Sequence, residues 1–165
     1  NLYFTDKPYI NRGIAGQTTA QMLIRFKPDV ISLKPKVVVI LAGINDITGM
    51  TGPTTNKMIS DNISSMVEIA QTNNIKVILS SVLPCSNIAG RPDLKPAYRV
   101  VELNEWMKEY ANSNNCIYID YFSSLTDVKN GLKTEFTEDG VHPNKKGYDI
   151  MAPLAEKAIQ KALNY

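Results

Sequence analysis

Hydrophobic residues along this chain occur in short, nearly continuous runs that alternate with longer stretches of helical spacing. Strand patterns occur at residues 9–14, 37–41, 76–83 and 116–120, the first of them weak and the others rich in Val and Ile. Helical patterns occur at residues 19–26, 54–72, 96–113 and 144–163, with Asn144 as the cap of the last. This alternation predicts an α/β fold: a three-layer αβα sandwich around a flavodoxin-like parallel sheet with right-handed crossovers.

Composition narrows the class of protein without naming it. The 165 residues are 44% hydrophobic, enough for one domain to bury a full core without disulfides or metals. The formal net charge is +2 and the lysines are scattered, with Lys145 and Lys146 the only adjacent basic pair, so nucleic acid is not expected as a partner. The longest aliphatic run, residues 37–42, is too short to span a bilayer.

The cysteines and the single histidine bear on metal and redox chemistry. Cys85 follows one predicted strand and Cys116 opens another, which places them at opposite edges of a parallel sheet, beyond the ~7 Å that a disulfide allows between α-carbons. Two free thiols are therefore expected. One histidine and two distant cysteines cannot supply a zinc site, so we expect no metal and no cofactor.

Residues 138–144 contain that only histidine, His142, three residues after Asp139 and just before a predicted helix. A carboxylate at this spacing can fix the tautomer of an imidazole that acts as a general base. Gly140 permits the tight turn, and Pro143 favours an extended His142 that points away from the helix. The alternative is a surface histidine beside a helix cap.

Ligands of a parallel sheet collect beyond the carboxyl ends of its strands. The segments that follow the predicted strands are residues 11–19, 43–46 and 80–84, and Asp120. Residues 139–142 precede a helix and are expected at the same edge. The sequence thus predicts one site made from several separated segments.

Three of these segments resemble the sequence blocks of the SGNH hydrolases, or GDSL family of esterases and lipases. Residues 13–18 (Gly-Ile-Ala-Gly-Gln-Thr) resemble the second block, 43–46 (Gly-Ile-Asn-Asp) the third, and 139–143 (Asp-Gly-Val-His-Pro) the fifth. The resemblance covers nearly the whole chain. It implies that the backbone of Gly16 and the side chain of Asn45 form the oxyanion hole.

The same resemblance implies that His142 and Asp139 are catalytic and that the substrate is a small-molecule ester. It is strongest for acylhydrolases similar to platelet-activating-factor acetylhydrolase, many of which act on acetyl esters, including esters on sugars; it weakly favours a secreted or periplasmic protein. Asp46 is expected to hold its loop by hydrogen bonds. Arg91, in the loop 84–96, is the candidate substrate wall, or else a solvated arginine.

The Gly-Asp-Ser block that names the family does not occur in residues 1–165. Ser80 and Ser81 are expected to form hydrogen bonds beneath the site instead of acting as nucleophile. In the family's strand order the missing strand would lie between residues 9–14 and 37–41. We therefore expect a single domain whose first strand and nucleophilic serine lie upstream of residue 1, and no activity from residues 1–165 alone.

Two alternatives stay open. The chain could be a catalytically inactive fragment or a ligand-binding module that retains the pocket. A flavodoxin-like nucleotide binder is less well supported, because the sequence has neither a Gly-x-Gly-x-x-Gly motif nor a P-loop. The sequence does not indicate an oligomeric state.

Overall fold

The computed structural model describes residues 3–88, 91 and 93–164. Its sheet contains three parallel strands in the order β1-β2-β3: β1 (Val37–Ile40), β2 (Lys76–Ser80) and β3 (Ile117–Ile119). Val38 pairs with Val77 and Leu79 with Tyr118. Each strand lies inside one of the three stronger predicted runs, so the parallel α/β sheet is confirmed.

Helices connect and cover the strands. They are α1 (Thr19–Ile24), α2 (Phe26–Asp29), α3 (Ile44–Ile47), α4 (Asn56–Thr72), α5 (Pro96–Ser113), α6 (Tyr121–Leu125) and α7 (Lys145–Leu163). The predicted helices 54–72, 96–113 and 144–163 agree with α4, α5 and α7 to within two residues. The short helices α3 and α6 were not predicted, and the predicted helix 19–26 is interrupted at Arg25, which separates α1 from α2.

The core has two apolar layers, one on each face of the sheet. Val77 and Leu79 belong to the layer beneath α4 and α5, whereas Ile78 belongs to the layer beneath α7. This alternation follows from the period of two along a strand. It explains why β2 is apolar at every one of these positions, and it confirms the three-layer sandwich.

The predicted weak strand at residues 9–14 is wrong for this structure, in which the segment has no regular secondary structure. Ile10 and Ile14 are both exposed. Within the described residues β1 pairs only with β2, so its other edge is open and offers residues 9–14 no neighbour. A strand pattern forms a strand only when another strand accepts its backbone hydrogen bonds.

Helix α7 begins where the sequence predicted. The Asn144 side chain accepts a hydrogen bond from the Gly147 amide at 3.2 Å, as an N-cap residue does. A Cβ on Gly147 would lie 2.8 Å from Cβ of Pro143 and 3.1 Å from the Phe136 carbonyl oxygen, so only glycine lets the first turn approach this closely. None of the helices described is long and apolar enough to cross a membrane.

Candidate active site

The segment 137–143, here called the acid–base loop, brings its aspartate and histidine together. Oδ2 of Asp139 lies 2.7 Å from Nδ1 of His142. Oδ1 of Asp139 accepts hydrogen bonds from the backbone amides of His142 at 2.8 Å and Val141 at 2.9 Å. The predicted contact between carboxylate and imidazole is therefore present at hydrogen-bond distance.

These hydrogen bonds determine the ionisation of Asp139 and the proton position on the ring. The backbone amide and the ring of His142, followed by the Val141 amide, hold the pKa of the Asp139 carboxyl well below its usual range. An ionised carboxylate can only accept, so Nδ1 is the donor and Nε2 presents its lone pair. The His142 side chain is 82% exposed, which leaves Nε2 open to a nucleophile.

Backbone geometry explains why this sequence makes such a loop. Gly140 has φ of 79°, a left-handed conformation that side chains rarely adopt. An isolated antiparallel bridge joins Thr137 to Pro143 and closes the loop at its base. Sequence reasoning predicted the role of Gly140 but missed Thr137, whose only signal was its position two residues before Asp139.

A second group of predicted site residues, here called the oxyanion site after its predicted role, consists of residues 16–17 and 45–46. Nδ2 of Asn45 donates a hydrogen bond of 2.9 Å to the Gln17 carbonyl, which brings together two segments 28 residues apart. Gly16 has φ of 78° and is exposed, and its N–H has no hydrogen-bond partner among the residues described. The two predicted oxyanion-hole residues thus lie in adjoining segments.

Gly43 places Asn45 by allowing a close approach of α3 to the core. It has φ of 122°, and a Cβ there would lie 2.9 Å from Cδ2 of Leu103 and 3.2 Å from Cγ2 of Val82. Both the backbone angle and the lack of space therefore require glycine. Helix α3 follows directly and carries Asn45 in its first turn.

Asp46 fixes the oxyanion site from below, as the sequence predicted. Its carboxylate is 2% exposed and accepts hydrogen bonds from the Thr19 amide at 2.9 Å and from the Thr19 hydroxyl at 2.6 Å. Nδ2 of Asn62 donates to the same hydroxyl at 3.0 Å. Asp46 thereby ties α3 to the start of α1. Thr19 and Asn62 were not identified from sequence.

The two serines at the end of β2 do not face solvent. Ser80 and Ser81 are both fully buried. The Ser80 hydroxyl donates to the Ile40 carbonyl at 3.0 Å, and Oγ of Ser81 accepts from the Phe122 amide at 2.9 Å. Both support the structure under the site, as predicted. Asp120 caps α6 by accepting from the Ser123 amide at 2.9 Å.

Arg91 lines a surface cavity of about 290 Å³ that includes Asp46 but neither Gly16, Asn45 nor His142. Its guanidinium makes two contacts of 3.3 Å with Asp93, so it is exposed but paired. Residues 89, 90 and 92 of the predicted substrate wall lie outside the described residues.

Both cysteines are free thiols, as predicted, and burial raises the pKa of each to about 11. Neither is therefore primed as a nucleophile. In the part of the chain that the structure describes, no three His, Cys, Asp or Glu side chains come together as metal ligands would.

The structure thus brings the predicted residues together in two pairs, Asp139 with His142 and Asn45 with the turn at Gly16. Among the described residues no hydrogen bond connects one pair to the other. Such an arrangement offers an imidazole with an orienting carboxylate and, separately, the N–H groups of Gly16 and Asn45, which are the group types that acid–base and oxyanion chemistry require.

Several solved structures share this fold over most of the chain. A Bacteroides fragilis protein described as an acylhydrolase is 44% identical, with a TM-score of 0.94 over 98% of this chain and 78% of its own. A GDSL-like lipase from Bacteroides thetaiotaomicron is 43% identical, with a TM-score of 0.93 over 97% of this chain and 79% of its own. An acetyl xylan esterase, AlAXEase, shares the fold at 23% identity, with a TM-score of 0.77 over 93% of this chain and 82% of its own.

Among curated proteins, the uncharacterized lipoprotein YqeF of Bacillus subtilis is 36% identical over 78 residues. That match covers 46% of this chain, and it spans about a third of the length of the lipoprotein, 32%. The family model for GDSL-like lipases and acylhydrolases matches residues 2–150, which include the acid–base loop and the oxyanion site. The chain therefore belongs to the GDSL-like Lipase/Acylhydrolase family.

Proposed function

We propose that this chain provides the general base and the oxyanion hole of a serine esterase that hydrolyses small acyl esters, acetyl esters first among them. The observation that carries the proposal is the 2.7 Å contact between Asp139 Oδ2 and His142 Nδ1, with the other ring nitrogen open to solvent. This is the arrangement that a serine hydroxyl needs in order to lose its proton as it attacks.

The proposed reaction has two steps. The serine oxygen attacks the ester carbonyl carbon while Nε2 of His142 takes its proton, and Asp139 stabilises the imidazolium. The tetrahedral intermediate then expels the alcohol, which receives that proton. Water attacks the acyl-enzyme with the same proton transfers and releases the carboxylic acid.

Both intermediates place a negative charge on the former carbonyl oxygen. The Gly16 N–H is available for it. Asn45 Nδ2 carries two hydrogens and donates one to the Gln17 carbonyl, so the second can also bind the oxyanion. The amide carries no formal charge that would retain the carboxylate product.

We place the nucleophilic serine on a strand upstream of residue 1, beside β1. The open edge of β1 supports this, since an unpaired strand edge is a ready partner for another strand. Val39 of β1 is 40% exposed and Leu41, just beyond it, is 43% exposed, so apolar side chains at this open edge are left uncovered by the described residues. Ser80 and Ser81 are poor alternatives because both are buried.

The surroundings of the site favour a small acyl group. Both the acid–base pair and Gly16 are exposed, which suits a small acyl group on a large alcohol better than a long buried chain. An acetyl xylan esterase shares this fold, which supports acetyl esters of a carbohydrate as the proposed substrate class. Arg91, which shares a surface cavity with Asp46, is the proposed contact for the alcohol portion.

A labelling experiment tests this proposal. Residues 1–165 alone should not react with a fluorophosphonate, whereas a version extended upstream should react and should hydrolyse p-nitrophenyl acetate with an initial burst. Mass spectrometry of the labelled peptide identifies the serine. Strong labelling of residues 1–165 would place the nucleophile within them and overturn the upstream assignment. A folded, extended chain that neither reacts nor hydrolyses esters would favour an inactive, ligand-binding module.

A further inference from the structure

Thr137 is a buried threonine at the base of the acid–base loop. It follows the 3-10 turn Thr134–Phe136, is 9% exposed, and forms the bridge to Pro143. Immediately beyond this bridge, the Asn144 amide donates to the Phe136 carbonyl at 2.8 Å. The two ends of the loop are therefore held together where it joins α7.

The hydroxyl of Thr137 contacts three residues of the loop at once. It donates to the His142 carbonyl at 2.8 Å and accepts from the amides of Gly140 at 2.9 Å and Asp139 at 3.3 Å. One side-chain oxygen thus fixes the backbone on both sides of the turn. These are the backbone positions that set the separation of Asp139 from His142.

The side chains of the acid–base pair are held by contacts within the loop: Oδ1 of Asp139 accepts from the amides of Val141 and His142 and lies 3.3 Å from the Thr137 hydroxyl. His142 is 82% exposed and Asp139 is 51% exposed, so packing does not restrict either one. Water competes for a hydrogen bond between two exposed groups. Their alignment therefore comes from the backbone of the loop and from the Thr137 hydroxyl that contacts it.

We propose that Thr137 is a positioning residue whose hydroxyl holds the acid–base loop in the conformation that presents Asp139 to Nδ1 of His142. It touches neither substrate nor reacting atoms. The inference rests on the proposed function, because the proton position on His142 matters for catalysis only if His142 is the base.

The single histidine of the sequence makes a direct test possible. Nitrogen-15 NMR of the neutral ring reports which nitrogen carries the proton, with no overlapping signal from another histidine. In the unaltered chain the proton should reside on Nδ1. In Thr137→Val, which keeps the shape and removes the hydroxyl, the Nδ1–H preference should be lost, and the Gly140 amide should exchange about tenfold faster because it loses one hydrogen bond.

Two matched variants separate positioning from general stability. Thr137→Ser keeps the hydroxyl and should retain the Nδ1–H form. Thr126→Val removes a hydroxyl that contacts the Asp127 carbonyl instead of the acid–base loop, and it should leave the tautomer unchanged. Asp139→Asn is the positive control for loss of the preference.

Several results would overturn the inference. A folded Thr137→Val that keeps the Nδ1–H form, or an unaltered chain with the proton on Nε2, contradicts it. If Thr137→Val does not fold, Thr137→Ala is measured instead; if neither folds, the hydroxyl serves folding and the positioning role is rejected. The readout needs no ester substrate, so a failure of the proposed esterase activity would appear separately, in the labelling experiment.

Discussion

The acid–base loop and the oxyanion site are built in opposite ways. Every hydrogen bond of Asp139 and Thr137 described above joins residues at most five positions apart. In the oxyanion site, Asn45 reaches Gln17 across 28 residues and Asp46 reaches Thr19 across 27. One half is a local turn, and the other is assembled by the packing of α3 against the start of α1.

The two halves also differ in burial. The acid–base pair is largely exposed, whereas Asp46 and Thr19 are almost fully buried. An exposed pair contributes little to folding, but a buried carboxylate must keep its donors or destabilise the protein. Substitutions of the exposed Asp139 and His142 should therefore affect chemistry far more than stability. Substitutions beneath the oxyanion site should affect chemistry and stability together.

The largest effect is expected from His142→Ala in a version of the chain that includes the nucleophile. Turnover of p-nitrophenyl acetate should fall by ~10² to 10⁴, the range of general acid–base catalysis. The free energy of unfolding, measured by urea titration, should stay within about 0.5 kcal/mol of the unaltered protein. A small loss of turnover would remove His142 from the proposed mechanism. A large loss of stability would contradict the proposed difference between the acid–base loop and the oxyanion site.

The next largest effect is expected from Asn45, which is half-buried, so its exposure lies between that of the acid–base pair and that of Asp46. Asn45→Ala should lower turnover by ~10² to 10³, as the loss of one oxyanion donor does in similar sites. Asn73→Ala is the matched control, since that amide only donates to the Ile69 carbonyl at the end of α4. If the two variants had equal activity, Asn45 would be only a link to Gln17.

The same contrast explains what the sequence could predict. The contact of Asp139 with His142 follows from their spacing, a glycine at the turn and a proline after it, all of which are local. The Asn144 cap and the helix 96–113 also follow from local pattern. The partners of Asp46 could not be found this way, because nothing in the sequence states that Thr19 lies beside Asp46 until β1 and α4 have packed.

The segment 9–14 shows the opposite error, a strand that was predicted from the sequence and is not present in the structure. Its apolar residues suggested a weak strand, but a strand exists only through its neighbour, and β1 pairs with β2 alone among the residues described. The short helix α3 was missed for another reason. Gly43 and Asn45 were interpreted as a loop, whereas the space beside Leu103 and the positive φ of Gly43 start a helical turn.

Asp46→Asn tests the buried half directly. The amide would present a donor where the Thr19 amide and hydroxyl both donate, so one of these contacts is lost. We expect a loss of about 1 to 3 kcal/mol in the free energy of unfolding and a fall in turnover, because Asn45 is the adjacent residue. Asp61→Asn removes an exposed pair with Lys57 and should cost at most about 0.5 kcal/mol. Equal costs for the two variants would show that Asp46 does not couple α3 to α1.

The smallest effect is the contribution of Asp139 to stability as the pH changes. Its pKa is lowered in the folded chain, chiefly by the His142 amide and ring. A carboxyl whose pKa is lowered by folding stabilises the fold at any pH above its pKa in the unfolded chain, about 3.9. This contribution is lost as the pH falls through the lower pKa of the folded chain. The difference in unfolding free energy between the unaltered chain and Asp139→Asn should therefore be larger at about pH 5 than at about pH 3, and it should shrink below about pH 3.9. It should be small throughout because the carboxylate is half exposed.

A carbon-13 titration of the Asp139 carboxyl gives the direction of the pKa shift independently. A midpoint at or above the ordinary aspartate range would show that the hydrogen bonds of the acid–base loop do not persist in solution.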